Sequence, residues 1–321
     1  MCGITGYIGS RNAYPIVING LKRLEYRGYD SAGIMMYDGK NIHLSKTKGK
    51  VSDLEIITDK ESERKNGNIG IGHTRWATHG VPNDTNSHPH ISESGNLVIV
   101  HNGIIENYDT LKKELISRGY TFKSDTDTEV LVNFIEEIKK QENCKLGKAV
   151  QLALTNVIGA YAIAVFDKTK PNELIVARLG SPIAIGVGKN NEEFFVASDA
   201  SPFIEYTKDA IYLEDGELAI IKKNKKIKVR RIEGDKEIDA NIQELQLSLD
   251  QIEKGGYDHF MLKEIYEQPK AIIDTYRGRM LPNEGVIKMA GIDDNISKFT
   301  NASRIIVVAC GTSWHAGLVG E

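Results

Sequence analysis

The chain opens with MCGITGYIGS, residues 1–10, in which a cysteine directly follows the initiator methionine. Residues 2–9 predict a first β-strand whose glycines permit close packing. If Met1 is removed, Cys2 gains a free α-amine with an unperturbed pKa of about 7.7–8.0, which can act as general base for its own thiol. Alternatively, Cys2 is only a small apolar residue at the start of a strand. Motifs elsewhere in the chain are needed to tell whether it is a nucleophile.

The composition indicates a globular, cytoplasmic protein. The 321 residues are 40% hydrophobic and 26% charged, with a formal net charge of −3, which argues against nucleic acid as a partner. The basic run at residues 222–231 is interpreted as an exposed edge strand protected by lysines. The three cysteines are odd in number and widely spaced, which argues against disulfides and favours a reducing compartment. No apolar run approaches the length of a membrane span.

The pattern of strands and helices predicts an α+β fold in which sheets pack on each other with helices outside. Residues 31–49 predict a hairpin across Asp38-Gly39, and residues 68–78 and 96–107 predict strands that end in polar loops. The second of these is expected to break at His101-Asn102-Gly103. Helices are predicted over residues 14–26, 108–119, 127–141 and 148–159. From residue 160 to Gly234, short β-rich runs predict a meander.

The last part of the chain has a different pattern. Residues 235–258 are charged, contain glycines and predict a linker. Residues 259–280 predict helical structure broken at Pro269, and residues 304–310 predict a buried parallel strand. The turn that follows is expected to open a helix, and its glycine and hydroxyl groups would suit a phosphate.

Three internal motifs carry groups that can bind and activate an amino acid. HTRWATHG (residues 73–80) offers a guanidinium that can fork onto a carboxylate, although a surface ion pair also explains it. HNG (101–103) offers the two donors of an oxyanion hole, or else a tight turn. SDTDTE (124–129) has carboxylates beyond the one that helix capping requires, which leaves one for an ammonium group. Together with Cys2, these groups match acyl transfer at the side-chain carbonyl of an amino acid.

An ordered series of motifs resembles a known family. CGITGYIG, LEYRGYDSAG, HTRWATHG, HPH, HNGIIEN, SDTDTE and GSPIAIG resemble the class II glutamine amidotransferase domain of the glutamine–fructose-6-phosphate aminotransferase family. KEIYEQP and VACGTS continue the resemblance into a sugar isomerase (SIS) domain. The resemblance implies a four-layer αββα N-terminal-nucleophile hydrolase sandwich over residues 2–234. A linker would occupy 235–258, and a truncated α/β SIS-type segment would occupy 259–321.

The resemblance also implies a role for each matching residue. Cys2 would form a thioester, and Asn102 with the Gly103 N–H would form the oxyanion hole. Arg75 would bind the glutamine α-carboxylate, with Thr78 and His79 beside it, and Asp127 would bind the α-ammonium. Arg27 and Trp76 would move when the acceptor sugar binds. Part of the sugar phosphate would be held by Gly311, Thr312 and Ser313.

The implied reaction is hydrolysis of the glutamine side-chain amide to glutamate and ammonia, with no cofactor. No metal is expected either, since His73, His79, His88, His90 and His101 lack the spacing of a known metal motif. In a complete protein the ammonia would convert fructose 6-phosphate to glucosamine 6-phosphate, and the isomerase part would form a homodimer. We expect this chain to lack most of that part, because it stops inside the first helix after CGTS, and we expect its lone apolar strand to find no pairing partner.

Two other interpretations remain open at the level of sequence. One is another class II amidotransferase, of the amidophosphoribosyltransferase or asparagine synthetase type, although neither acceptor-domain motif follows residue 240. The other is a catalytically silent fragment that binds glutamine. The state of Met1 separates the last interpretation from the others, because a retained methionine removes the amine base.

Overall fold

The computed structural model describes residues 2–60, 62–76, 80–245, 256–276, 280–281, 285–287 and 295–321. It divides into two compact units, Met1–Ile252 and Glu253–Glu321. No helix in the described part of the chain is both long and apolar enough to cross a membrane.

The first unit contains helices, short strands and a few single turns of 3₁₀ helix. Its helices are α1 (Ala13–Leu24), α2 (Val51–Asp59), α3 (Tyr108–Ser117), α4 (Asp127–Gln141) and α5 (Leu146–Leu154). Its strands are β1 (Gly3–Ile8), β2 (Ser31–Tyr37), β3 (Ile42–Lys48), β4 (Ile69–Arg75), β5 (His90–Ile91), β6 (Leu97–Ile105), β7 (Gly159–Asp167), β8 (Glu173–Leu179), β9 (Ala184–Val187), β10 (Phe194–Ala197), β11 (Asp209–Tyr212), β12 (Glu217–Lys222), β13 (Lys228–Arg231), β14 (Glu237–Ile238) and β15 (Ile242–Glu244).

These strands form two antiparallel sheets. The first has the order β15-β11-β9-β10-β1-β4-β2-β3, and the second has the order β14-β13-β12-β8-β7-β6-β5. The predicted meander after residue 160 is therefore wrong, because the chain leaves the second sheet after β8 and returns to it at β12. β10 instead pairs with β1, where Thr5 lies opposite Ala197, so the first strand is built into the middle of its sheet by residues far along the chain.

Strand alternation separates three apolar layers. On β1, Ile4 and Ile8 face the space between the sheets, where they join Val98 and Val100 of β6, while Tyr7 faces the helices of the first sheet. A third set of core residues packs the second sheet against α3, α4 and α5. Because successive side chains of a strand point to opposite faces, each sheet is covered on both sides. The predicted α+β fold with helices outside is confirmed as a four-layer αββα sandwich.

β6 differs from the sequence prediction at the HNG motif. The predicted break is wrong, since β6 continues to Ile105 and pairs there with β7, placing Asn102 opposite Ala162 and Gly103 opposite Tyr161. Gly103 has φ +133°, a region that other residues rarely enter. A Cβ at Gly103 would lie 2.0 Å from the Ala160 carbonyl oxygen. The glycine therefore allows the two strands to stay paired, rather than making a turn.

Two predictions near the end of the first unit also change. The basic run forms β13 and the end of β12, but β13 is covered by β14, so it is next to the edge of the sheet rather than at it. Part of the predicted linker is paired with the sheets, since β15 places Ile242 opposite Ile211 of β11. Strand pairing thus extends beyond residue 234, and Leu245 is buried. The rest of the predicted linker up to residue 255 lies outside the described residues.

The second unit contains α6 (Phe260–Tyr276), β16 (Met280–Leu281), β17 (Val286–Ile287), α7 (Ile296–Thr300) and α8 (Thr312–Gly320). The break predicted at Pro269 is wrong, because α6 runs through it; proline removes one N–H donor without forcing the helix to end. The strand predicted for residues 304–310 is not formed, and Ile305–Val308 are exposed. A parallel strand needs a neighbour for its hydrogen bonds, and the described residues of this unit supply none. The turn does open a helix, since α8 begins at Thr312 after Gly311.

Candidate active site

The pairing of β1 places Cys2 between two strand ends. Gly3 lies opposite Thr74 of β4, so Cys2 lies beside Arg75 and Trp76, where β4 leaves the sheet. On the other side, the Ser198 hydroxyl, just after β10, accepts the Ile4 N–H at 2.8 Å. Asn102 reaches this point from β6 of the second sheet. The site therefore lies at one end of the sandwich and is built by both sheets.

Cys2 is held by contacts to its side chain and its backbone. The Trp76 N–H donates to Cys2 Sγ at 3.2 Å, and the thiol lies 3.5 Å from the Trp76 carbonyl oxygen. The Cys2 carbonyl oxygen accepts from Arg27 Nε and from Asn102 Nδ2, each at 3.1 Å. These contacts fix the sulfur and leave the residue half-buried.

Burial dominates the acidity of this thiol. Desolvation raises the pKa of Cys2 above its usual value of 9.0, although the Trp76 N–H and the charge of Arg75 act in the opposite direction. The thiol is thus protonated at neutral pH, and a nearby base is required to make it a nucleophile.

The two residues predicted as an oxyanion hole are adjacent on β6 but have different surroundings. Asn102 is buried, and its NH₂ group donates to the Cys2 carbonyl and, at 2.9 Å, to the Ser198 hydroxyl. Its side-chain oxygen lies 2.9 Å from His73 Nε2. Gly103 is exposed. Asn102 therefore contacts Cys2 directly, and Gly103 is the next residue along β6.

The two residues predicted to bind the charged ends of glutamine are both buried. Arg75 ends β4 and donates from Nη2 to the Gly80 carbonyl at 3.2 Å. Asp127 is the first residue of α4, and its Oδ2 accepts the Ile105 N–H at 2.8 Å. A carboxylate at that position is also favoured by the helix dipole. The helix start predicted for this motif is confirmed, with the Thr126 side chain accepting the Glu129 N–H.

Arg27 and Trp76, predicted to move with the acceptor, both contact Cys2 in this structure. Arg27 also pairs with Asp199 at 3.2 Å, so it links the start of β1 to the end of β10. Trp76 is 47% exposed and makes an edge contact with Tyr29. Met1, Thr78 and His79 lie outside the described residues.

A cluster of buried histidines lies behind Asn102. His73 stacks on His88 with ring centroids 4.2 Å apart, and His88 contacts His90 edge-on. Burial lowers the pKa of His73 to about 3 and holds the pKa values of His88 and His90 well below 6.5. In the described part of the chain, no group of histidine, cysteine or acidic residues has the arrangement of a metal site.

Three polar residues that the sequence motifs did not assign to the site contact it. His73, Ser198 and Asp199 each bond to a residue that holds Cys2. Ser198 and Asp199 directly follow the apolar run FFVA, and polar residues after an apolar strand are the signal that could have drawn attention to them. Their proximity to Cys2 depends on the β1–β10 pairing, however, which spans nearly the whole domain.

Comparison with known families identifies the class of this domain. Residues 57–248 match the family described as the glutamine amidotransferase domain. The match covers more than half of the 321 residues, and the chain belongs to this family. The predicted enzyme class, a glutamine amidotransferase, is thereby confirmed.

The most similar relatives include two bacterial enzymes that carry one name. The chain is 54% identical to the glutamine–fructose-6-phosphate aminotransferase (isomerizing) of Bacteroides thetaiotaomicron and 50% identical to that of Chlorobaculum tepidum. Each comparison covers all of this chain and 52% of the relative. The chain thus spans about half the length of the relatives it matches, and the resemblance predicted from the motifs is confirmed.

Solved structures agree on the fold. The glutamine phosphoribosylpyrophosphate amidotransferase of B. subtilis has a TM-score of 0.60 and 30% identity, covering 73% of this chain and 50% of that one. A structure described as the allosteric regulatory enzyme of purine biosynthesis has a TM-score of 0.61 at the same identity and coverage. The sandwich is therefore that of the N-terminal-nucleophile hydrolases, as predicted.

Proposed function

We propose that Cys2, freed of Met1, is the nucleophile with which this chain hydrolyses the side-chain amide of glutamine. The observation that supports this most strongly is the position of its sulfur, fixed by the Trp76 N–H while two side chains hold its carbonyl. A fixed nucleophile avoids the entropic cost of bringing the reacting atoms together. No other cysteine in the described residues has such an environment, since Cys310 is exposed and Cys144 lies in the helical layer.

The proposed reaction has two halves that balance. The α-amine of Cys2 takes the thiol proton, the sulfur attacks the amide carbon, and the resulting oxyanion is stabilised by the Asn102 amide and the Gly103 N–H. The C–N bond then breaks, and the protonated amine returns its proton to the leaving nitrogen, which departs as ammonia. Water attacks the thioester in the same way, which releases glutamate and restores the thiol.

Recognition of glutamine is proposed to use its two charged ends. Arg75 would bind the α-carboxylate, with Thr78 and His79 beside it, and Asp127 would bind the α-ammonium. Arg75 is the last residue of β4 and Asp127 is the first residue of α4. These locations support the assignment, because β4 ends and α4 begins at the site. Arg27 and Trp76 would respond to the acceptor, since both contact Cys2.

The use of the ammonia is proposed from the relatives. Enzymes named glutamine–fructose-6-phosphate aminotransferase are 42–54% identical over the whole chain, whereas the phosphoribosylpyrophosphate amidotransferase is 30% identical over a smaller part. We therefore favour fructose 6-phosphate as the acceptor in a complete cytoplasmic protein, with a homodimer formed through the isomerase part. Gly311, Thr312 and Ser313, at the start of α8, would contribute to its phosphate site.

The direct test is the Cys2→Ala variant, assayed for glutamate release from glutamine. The assay uses protein whose intact mass shows that Met1 has been removed. We expect release to fall by at least about 10⁴-fold, as when other covalent nucleophiles are removed. Cys144→Ala, which removes another free cysteine, should retain wild-type activity. Retention of even a tenth of wild-type activity in Cys2→Ala would refute the mechanism.

A further inference from the structure

The side chain of Asn102 has a defined orientation because the groups at its two ends have opposite polarity. The Cys2 carbonyl, 3.1 Å away, can only accept a hydrogen bond, so the NH₂ group of Asn102 must face it. The side-chain oxygen of Asn102 must then face His73 Nε2, at 2.9 Å. If the amide were turned over, two acceptors would meet at the Cys2 carbonyl, and Asn102 would present no donor there.

The neighbours of His73 likewise fix which of its ring nitrogens carries the proton. Its Nε2 lies 2.9 Å from the Asn102 side-chain oxygen and 3.1 Å from the His101 carbonyl oxygen. Both oxygens are acceptors, so Nε2 carries the hydrogen. His73 Nδ1 is buried and has no hydrogen-bond partner among the described residues, as expected for the unprotonated nitrogen of this tautomer.

The surroundings of His73 keep this donor in place. The ring is 1% exposed, belongs to the central strand β4, and stacks on His88. Burial lowers its pKa to about 3, so the ring stays neutral and keeps one tautomer through the physiological range. A fixed, neutral donor therefore faces the Asn102 side-chain oxygen.

We propose that His73 is a positioning residue that holds the Asn102 amide with its NH₂ group toward Cys2, where the oxyanion forms. This inference rests on the proposed role of Cys2 and adds a residue that does not touch the substrate. The His101 carbonyl selects the tautomer of His73, His73 orients Asn102, and Asn102 presents its donors to Cys2. During the reaction, an Asn102 N–H that now donates to the Cys2 carbonyl or to the Ser198 hydroxyl would instead donate to the oxyanion.

The test compares two substitutions of His73 in the full chain from which Met1 has been removed. His73→Phe keeps a planar ring but removes the donor, whereas His73→Gln keeps an N–H donor at a similar reach. Removal of an oxyanion-hole donor costs about 10²–10³-fold in kcat. Without His73, the Asn102 amide would be turned the wrong way only part of the time, so the oxyanion-hole donor would be lost only in part. We therefore expect His73→Phe to lower kcat for glutamine by about 10–100-fold with little change in KM. His73→Gln should recover most of this loss.

Alkylation of Cys2 by iodoacetamide separates positioning from general damage. This displacement forms no oxyanion, so its rate, measured by mass mapping of the N-terminal peptide, should be nearly the same in wild type and His73→Phe. His90→Phe is the matched control, because His90 is equally buried and contacts His88 but not Asn102. Its kcat should stay within about threefold of wild type, since it provides no part of the oxyanion donor.

The outcomes distinguish this inference from the proposed function. If wild type and Cys2→Ala release glutamate equally, the proposed function fails. If Cys2 is required but His73→Phe retains kcat within threefold, the positioning role of His73 is refuted. It is also refuted if alkylation slows in parallel with kcat, if only KM changes, or if His73→Gln is no better than His73→Phe.

Discussion

Asp127 combines a structural and a proposed binding role in one carboxylate. One oxygen accepts the Ile105 N–H, which ties α4 to the end of β6. Among the described residues, the other accepts a single long hydrogen bond, from the Thr128 hydroxyl at 3.3 Å. The Asp127 carboxylate beside the site can therefore still accept hydrogen bonds, which is what an ammonium partner requires.

Asp127→Asn should weaken glutamine binding without unfolding the domain. The asparagine oxygen can still accept the Ile105 N–H, but the charge is lost. A hydrogen bond to a charged group contributes about 1.5–3 kcal/mol, so we expect KM for glutamine to rise about 10–100-fold in steady-state assays. Glu137→Gln is the control, because Glu137 is a buried carboxylate of the same helix that pairs with Arg118 instead. An unchanged KM in Asp127→Asn would contradict the assignment.

At this scale, sequence could suggest residues but not their contacts. Roles for Cys2, the Arg75 guanidinium and the Asp127 carboxylate could be proposed from chemistry and from a family resemblance. The proposed role of His73 could not be predicted, because its contact with Asn102 joins two different sheets. The same holds for Ser198, which reaches Asn102 only because β10 pairs with β1.

The end of β6 is the element on which the site most depends. Asn102 projects from it to Cys2, Ile105 anchors Asp127, and Gly103 between them has φ +133°. The ladder with β7 continues through all of these residues. The element thus positions Asn102 and Asp127, while Gly103 adopts a conformation that favours glycine.

Gly103→Ala should destabilise the domain strongly. A Cβ would lie 2.0 Å from the Ala160 carbonyl oxygen of β7, so the strands must separate as well as accept an unfavourable φ. We expect a loss of at least about 2 kcal/mol in the free energy of unfolding by urea, together with reduced glutaminase activity.

Gly95→Ala provides the control for this substitution. Gly95 also has positive φ, but apart from its chain neighbours no atom of the described residues lies within 4 Å of the added Cβ, so the conformational cost of about 1–2 kcal/mol is the main effect expected. A larger loss for Gly95→Ala than for Gly103→Ala would contradict the described packing of β6 on β7.

Sequence patterns predicted elements well where the local signal was complete. The helix at residues 127–141 has the predicted bounds, since a cap, acidic first residues and an apolar face all agree. Asn-Gly was a misleading signal in β6, because its turn preference is overridden by pairing with β7. Pro269 was likewise expected to end a helix that continues through it.

Across the whole first unit, the buried histidines couple stability to pH. Burial lowers the pKa values of His73, His88, His90 and His101 below the usual 6.5. The unfolded chain therefore binds more protons than the folded chain as pH falls below about 6.5. Each such histidine then lowers the free energy of unfolding by up to about 1.4 kcal/mol per pH unit.

Stability to urea should thus fall steadily as pH is lowered from 7 to 5. His90→Gln, which removes one of these groups, should show a shallower decline over the same range. Equal stability of the wild-type protein at pH 7 and pH 5, or a steeper decline in His90→Gln, would show that these histidines do not carry the pH dependence.

The layered architecture was predictable from alternating apolar patterns, but its topology was not. Alternation predicts that a strand has two faces, without specifying which strand lies next to it. The first sheet joins β1 to β4 and β10, and this long-range choice brings the start of the chain to the site.

The most direct test of the central claim is to trap the intermediate on Cys2. Chain lacking Met1 is mixed with excess glutamine, quenched in acid and mapped by mass spectrometry. The account predicts one γ-glutamyl group, held as a thioester on the peptide that contains Cys2 and absent in Cys2→Ala. Steady glutamate release with the adduct on another residue, or unchanged release from Cys2→Ala, would contradict it.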